Sequence, residues 1–342
     1  MRPLLLPANQ PRSCYRGGAR IAAFRGTPPP SDPYRPEDWI ASTTARLGQA
    51  PAGLTTLPDG RLLRAAVEAD PMGWLGRERS ARHGADAGLL VKLLDTGERQ
   101  PLHLHPDRDV ARSSLAPPCG GAVAWVIVEA DPDAAVHLGF SRDVDADELA
   151  RWVADQKIET MLAVTNRVPV RAGDAVLCPA GVPHAIGAGI LLVELREPTD
   201  VSVLLEWDGV ALDGAAPGSP GLGAGLDAAL GCVDRSAWSP ARIDAELRGA
   251  PGGRAVRDGI ARLLPPAADG LLVAERVDAR PRCRLDAAFA VLVVLSGGGL
   301  LIWPDAGETL EVRAGDTVVV PHGAGAARVE GPLAAVRARP AP

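Results

Sequence analysis

The chain has 342 residues, 46% hydrophobic and 23% charged, enough to bury one large core or two of ordinary size. A net charge of −6 offers no basic field to nucleic acid or anionic lipid, and no unbroken apolar run approaches the roughly 18 residues that span a bilayer. Five cysteines (Cys14, Cys119, Cys178, Cys232, Cys283) stand far apart with no C-x-x-C pair, which argues against a disulfide framework or a thiolate zinc site.

The opening Met1-Arg-Pro-Leu-Leu-Leu-Pro7 is too short an apolar run for a signal peptide, so a cytoplasmic location is expected. Arg20 to Arg25 reads as a strand, Pro36 to Ile40 as the opening of a short helix with acidic groups in its first turn, and Leu62 to Glu68 as helical. Leu89-Leu-Val-Lys-Leu-Leu94 is a continuous apolar run, the mark of a buried strand. Strands are expected next at Leu102 to His105, Val123 to Glu129 and Val136 to Phe140. Residues 143–162 break that pattern, because Leu149, Trp152, Val153, Gln156 and Ile158 recur near helical spacing after an acidic start. Val168 to His184 carries a strand–turn motif, and strands resume at Gly189 to Leu195 and Val201 to Trp207. Asp213 to Leu222 has the composition of a linker, Leu226 to Arg248 looks loosely helical, and strand patterning returns over residues 270–340. Short strands with Gly/Pro turns predict a mainly β fold of the barrel or sandwich kind, with a helical insertion.

The chemistry concentrates between Leu102 and Glu206. His103 and His105 stand at i and i+2, so on a strand both imidazoles leave one face. Ala172-Gly-Asp174 is a turn signal, Ala175 to Cys178 a short apolar strand, and Pro179-Ala-Gly-Val-Pro183 a second turn that can deliver His184 to the same face. Three neutral imidazoles inside a small barrel make a divalent metal site with open positions, which suits catalysis.

An internal repeat orders the whole chain. Val170-Arg-Ala-Gly-Asp-Ala-Val-Leu-Cys-Pro179 matches Val312-Arg-Ala-Gly-Asp-Thr-Val-Val-Val-Pro321 at one constant offset. Two copies of one strand–turn–strand unit indicate two related barrels. The equivalent of His184 in the second copy is Ala326, and His322 is out of phase, so the second barrel is expected to be metal-free. The expected organisation is an N-terminal metal-binding barrel over 1–212, a linker and helical segment over 213–268, and a C-terminal barrel over 269–342.

These residues resemble the cupin superfamily in its two-barrel, jelly-roll form, and the order of motifs is similar to the class I, zinc-dependent mannose-6-phosphate isomerases. Leu90 to Asp95 is similar to that family's strand before the first ligands. His103-Leu-His105-Pro-Asp107 resembles its Q-x-H-P-D motif, and Pro179-Ala-Gly-Val-Pro-His184-Ala-Ile-Gly187 its P-A-G-x-P-H-A-I-G ligand segment. The resemblance implies one divalent metal, Zn2+ foremost, held by His103, His105 and His184, with Asp109 as a further candidate from its H-x-H-x3-D spacing or else a solvated loop residue. It implies an aldose–ketose isomerase acting on a sugar or sugar phosphate (mannose 6-phosphate to fructose 6-phosphate through an enediol), with no nucleic-acid or membrane partner. Glu194 is the first candidate for the acid–base work and Glu206 the second. The chain departs from the family pattern at three places: its metal-binding Glu, phosphate-holding Lys and active-site Arg fall at Val123, Gly121 and Leu204. Two other readings follow from those losses and from the ligand set: a non-catalytic barrel that binds sugar or metal, and an iron or manganese oxygenase.

Overall fold

The structure is a computed structural model describing residues 1–107, 121–211 and 229–341. Its first half carries β1 (Leu4–Leu5), β2 (Glu37–Ile40), β3 (Leu90–Thr96), β4 (His103–Leu104), β5 (Val123–Ala130), β6 (Ala135–Phe140), β7 (Thr165–Pro169), β8 (Ala175–Cys178), β9 (His184–Ile186), β10 (Ile190–Arg196) and β11 (Val203–Leu204). These form two antiparallel sheets of five strands, ordered β2-β3-β10-β5-β8 and β11-β4-β9-β6-β7. Side chains of both sheets, Leu93, Val123, Val193, Val136 and Ile186 among them, share one buried core. That is the sandwich the alternating short strands predict.

The helices before the first long strand are α1 (Ala19–Arg25), α2 (Leu63–Ala69), α3 (Pro71–Leu75) and α4 (Arg77–His83). The insertion forms α5 (Ala146–Ala154) and α6 (Ile158–Ala163). Asp145 caps α5 by accepting from the backbone N–H groups of Asp147 and Glu148, and Leu149, Val153 and Met161 pack with Leu104, Phe140 and Val203 over the second sheet. The sheet's other face is thereby left to the site.

Two local expectations are overturned. Arg20 to Arg25 is helical, because its Ala-rich stretch turns Ile21 and Ala22 inward, Gly26 closes it at φ 65°, and Asp95 accepts from Gly18 N and Arg20 N at its start. Glu37 to Ile40 is a strand: all four residues are buried, and the acids read as a helix's first turn are held by buried partners, Glu37 by Lys92 and Asp38 by Arg25. Two others are narrower than expected. The strand within Val201 to Trp207 is limited to Val203–Leu204, and among the described residues of 229–248 the regular helix is α7 (Pro240–Glu246), capped by Ser239.

The C-terminal sheet begins before residue 269, with β12 (Arg254–Arg257) and β13 (Ile260–Arg262). It continues through β14 (Leu272–Ala279), β15 (Arg282–Leu285), β16 (Ala290–Trp303), β17 (Glu308–Arg313), β18 (Thr317–Val320), β19 (Ala327–Glu330) and β20 (Leu333–Pro340). β1 pairs with β18, so the chain's start is stitched into its last sheet. The two repeat copies share one turn. Gly173 and Gly315 both have φ 90°, and Asp174 and Asp316 accept from the backbone of Arg171 and Arg313 at 3.1 and 2.9 Å. A φ in that region favours glycine, which is why the A-G-D signature survives in both.

Candidate metal centre and its cavity

β4 and β9 pair antiparallel with His103 directly opposite His184, and His105 follows two residues on, facing the same way. The three rings cluster with centroid separations of 5.2 Å for His103–His105, 4.3 Å for His103–His184 and 5.0 Å for His105–His184. One nitrogen from each lies within 4.8 Å of the others.

Each ring is oriented through Nδ1. That atom meets Pro101 O at 2.8 Å in His103, Val201 O at 3.1 Å in His105 and Val182 O at 2.9 Å in His184. A carbonyl oxygen only accepts, so each Nδ1 carries the proton and each Nε2 keeps its lone pair. Burial, before any other cause, pushes His103 down to about 4 and His105 and His184 well below the ordinary range; the Arg196 charge and the neighbouring rings add to this. The cluster is therefore neutral at pH 7 with three lone pairs available. That donor set fits Zn2+ or another borderline divalent ion. Asp109 lies outside the described residues.

The first sheet supplies the other wall. In one row across it stand Trp39, Lys92, Glu194 and Trp125, each the register partner of the next. β10 is the central strand, so Glu194 is a buried residue at 5% exposure rather than an edge-strand surface group. Trp125 Nε1 donates to Glu194 Oε2 at 3.2 Å, and the Trp125 ring lies 5.5 Å from that of His184. Trp125 is fully buried packing, while Trp207 is a partly buried residue beside the second sheet.

Sequence reasoning missed a cluster that the N-terminal segment brings in. Glu37 accepts from Lys92 Nζ and Trp39 Nε1, both at 2.9 Å, and from Ser13 and Tyr15 hydroxyls, both at 3.2 Å. Burial alone would raise Glu37, but the charges of Lys92 and Arg46 outweigh it and hold the carboxyl down at about 2. Lys92 also stands 4.2 Å above the Trp39 ring. The signal was present: a lysine inside an otherwise apolar strand is rarely fully buried unless paired.

Glu37, Lys92, His103, His105, Glu194 and Arg196 share a cavity of about 270 Å3. Leu204 lines it as well, an apolar group where the resemblance places an arginine. Glu206 is elsewhere: both its oxygens bind Arg99 at 2.7 Å, one also accepts from Leu102 N at 2.8 Å, and it does not line the cavity. A Cβ on Gly121 would lie 2.0 Å from His105 Cβ, so with His105 as placed no lysine fits there. Val123 is wholly buried in β5, opposite Arg196.

No protein-family model matches the chain. Over 114 residues it is 30% identical to the mannose-6-phosphate isomerase of Streptococcus mutans, a segment covering 33% of this chain and 34% of that protein. The match thus spans about a third of the relative's length. The crystal structure of the mannose 6-phosphate isomerase from Bacillus subtilis superposes with a TM-score of 0.76 at 19% identity, covering 99% of this chain and 100% of that one. A mannose 6-phosphate isomerase bound with zinc and yttrium gives a TM-score of 0.74 at 14% identity, covering 99% of both chains. The chain shares the fold of these solved structures.

Proposed function

We propose that the protein is a metal-dependent aldose–ketose isomerase related in chemistry to mannose-6-phosphate isomerase. The observation that carries this reading is a cluster of three neutral imidazoles, two of which, His103 and His105, line one cavity together with the buried carboxylate of Glu194. The like-named relatives and the zinc in one of the solved neighbours support it. A divalent ion held by Nε2 of His103, His105 and His184 would act as a Lewis acid on the oxygens at C1 and C2.

The rest falls to the chain's own groups. Glu194 takes the C2 proton of an aldose and returns it to C1 on the same face, while the hydroxyl proton of O2 passes to O1, so that the aldehyde becomes a primary alcohol and the C2 alcohol a ketone. It is held for this by Trp125 Nε1–H on one oxygen, which leaves the other directed by its strand. Lys92, fixed by Glu37, presents a cation to the hydroxyls of the bound sugar. Leu204 and the buried flanks of β3 and β10 limit water, which strengthens each of these interactions.

The test is solvent-proton exchange. Zinc-loaded protein in D2O is mixed with mannose 6-phosphate, free mannose and a panel of other aldoses, and deuterium at C1 and C2 is followed by NMR. Exchange with ketose formation is expected for at least one sugar. Glu194→Gln should slow it by about a hundredfold or more. An absence of ketose formation from every sugar in the zinc-loaded protein removes the isomerase reading.

A further inference from the structure

We infer that the cleft between α4 and the end of the C-terminal barrel is a second ligand site, built for a small organic phosphate that bridges the two halves of the chain. The cleft measures about 440 Å3 and shares no lining residue with the metal cavity. The inference goes beyond the isomerase reading and does not depend on it.

The repeat sets the place. In the first barrel Trp39, Lys92, Glu194, Trp125 and Val176 form one row across a sheet, each the register partner of the next. Val318 is the repeat equivalent of Val176, and the row that ends on it runs Arg262, Glu275, Arg337, Leu292, Val318. Both rows bury an acid beside a base, with the order exchanged. Two residues further along the central strand, Arg339 holds the position that Arg196 holds in the first barrel. Arg262 and Arg339 both line the cleft. The second barrel thus carries no equivalent of His184, yet it keeps a charged row at the matching place.

The facing wall is α4, which contributes Arg77, Arg79 and Arg82. Among the described residues none of these three forms an ion pair. Arg79 donates instead to the carbonyls of Asp86 and Ala341 at 3.1 and 3.0 Å, while Arg77 and Arg82 are exposed. Burial holds the Arg79 guanidinium below its ordinary range, against the pull of the Asp86 charge. The remaining acid on the cleft is Glu78, and His83 and His322 line it too. On the barrel side, Glu275 pairs with Arg262, Arg337 and Arg339, and Asp286 with Arg257, Arg337 and Arg339. With every one of these carboxylates counted, the arginines still outnumber them, and Arg339 Nε is buried with no acceptor. Guanidiniums on two facing walls suit the several oxygens of a phosphate, which takes paired hydrogen bonds from each fork. The floor between them is apolar and buried, formed by Leu75, Val273 and Phe289. A ligand that fills the cleft therefore carries an apolar body beside its phosphate, and the volume lies in the usual small-molecule range of about 300–1,000 Å3.

Zinc-loaded protein is titrated calorimetrically with phenyl phosphate and, separately, with inorganic phosphate, at constant ionic strength set by sodium chloride. Saturable binding of phenyl phosphate is expected, about threefold or more tighter than that of inorganic phosphate because the ring covers the apolar floor. The double variant Arg77→Ala/Arg82→Ala alters only exposed positions and should weaken phenyl phosphate about tenfold or more, the scale of a lost charge-assisted hydrogen bond. Arg61→Ala/Arg280→Ala makes the same change of charge at exposed positions that line neither cavity, and should leave the affinity as it was. Saturating phenyl phosphate should also raise the urea midpoint of the wild type and leave that of Arg77→Ala/Arg82→Ala in place. Several results would overturn the inference: no saturable binding, tighter binding of inorganic phosphate, unchanged affinity in Arg77→Ala/Arg82→Ala, or an equal loss in the control pair.

Discussion

Gly121→Ala is the sharpest probe of the metal centre, because it adds one methyl group at a position that does not line the cavity but abuts His105. The new Cβ would sit 2.0 Å from His105 Cβ and 3.1 Å from His105 Cα. Carbon atoms rest about 3.5–4.0 Å apart, so the two must separate by roughly 1.5 Å. The obstructed atoms are next to the main chain of His105, and no rotamer change moves them aside. Metal–ligand distances tolerate about 0.2 Å, and disturbing only the groups that orient a ligand already costs about 10–100-fold in affinity. Moving the ligand itself should cost about a hundredfold or more, roughly 2.8 kcal/mol at 1.4 kcal/mol per tenfold. Zinc affinity by chelator competition reads this directly, with the urea midpoint of metal-free protein as the folding control. If the variant folds and its zinc Kd stays within about threefold of wild type, the placement of Gly121 against His105 is wrong.

Three further outcomes are expected. His184→Ala removes one of three nitrogen donors and should abolish stoichiometric zinc in protein purified with zinc and analysed by elemental measurement. In metal-free protein, His103 is held at about 4, and His105 and His184 well below, against an ordinary 6.5. The unfolded chain therefore binds more protons below that value. Stability is complete above about pH 6.5 and falls as the pH drops toward 4, by up to about 1.4 kcal/mol per pH unit for each imidazole. Urea melts of metal-free protein across that window should show this, and a flat profile would contradict the burial of the trio. Asp95→Ala leaves the buried N–H groups of Gly18 and Arg20 without the carboxylate that accepts them at 2.7 and 2.8 Å, and should lower unfolding free energy by about 3 kcal/mol in the same assay.

The legible part of the sequence was the part written in short-range patterns. Paired histidines at i and i+2, the A-G-D turn and the P-A-G-V-P-H segment each encode a local geometry, and β4 and β9 carry them into register at His103 and His184. What could not be read was set by distant partners. Glu37 and Asp38 look like a helix start because acids favour that position, yet each is buried by a cation far along the chain, Lys92 and Arg25. Arg20 to Arg25 is short enough to pass for a strand, and Asp95 at its head, with Gly26 at its end, makes a helix the better solution.

The repeat shows how one scaffold serves two ends. In the first copy, the chain leaves β8 through Pro179, Gly181 N donates to His105 O at 2.7 Å, and the turn delivers His184 beside the other imidazoles. In the second copy, the same exit from β18 runs into a short 3-10 turn, His322–Ala324. That turn packs on α3: a Cβ on Gly76 would meet the His322 ring at 2.6 Å, and one on Gly323 would meet Gly73 O at 2.9 Å. The segment that positions a metal ligand in one sheet is thus a docking contact between the halves in the other. Since β1 also pairs with β18, the C-terminal sheet closes against the N-terminal segment at two places. That same N-terminal segment carries Glu37 to the cavity, where it accepts from Lys92 Nζ.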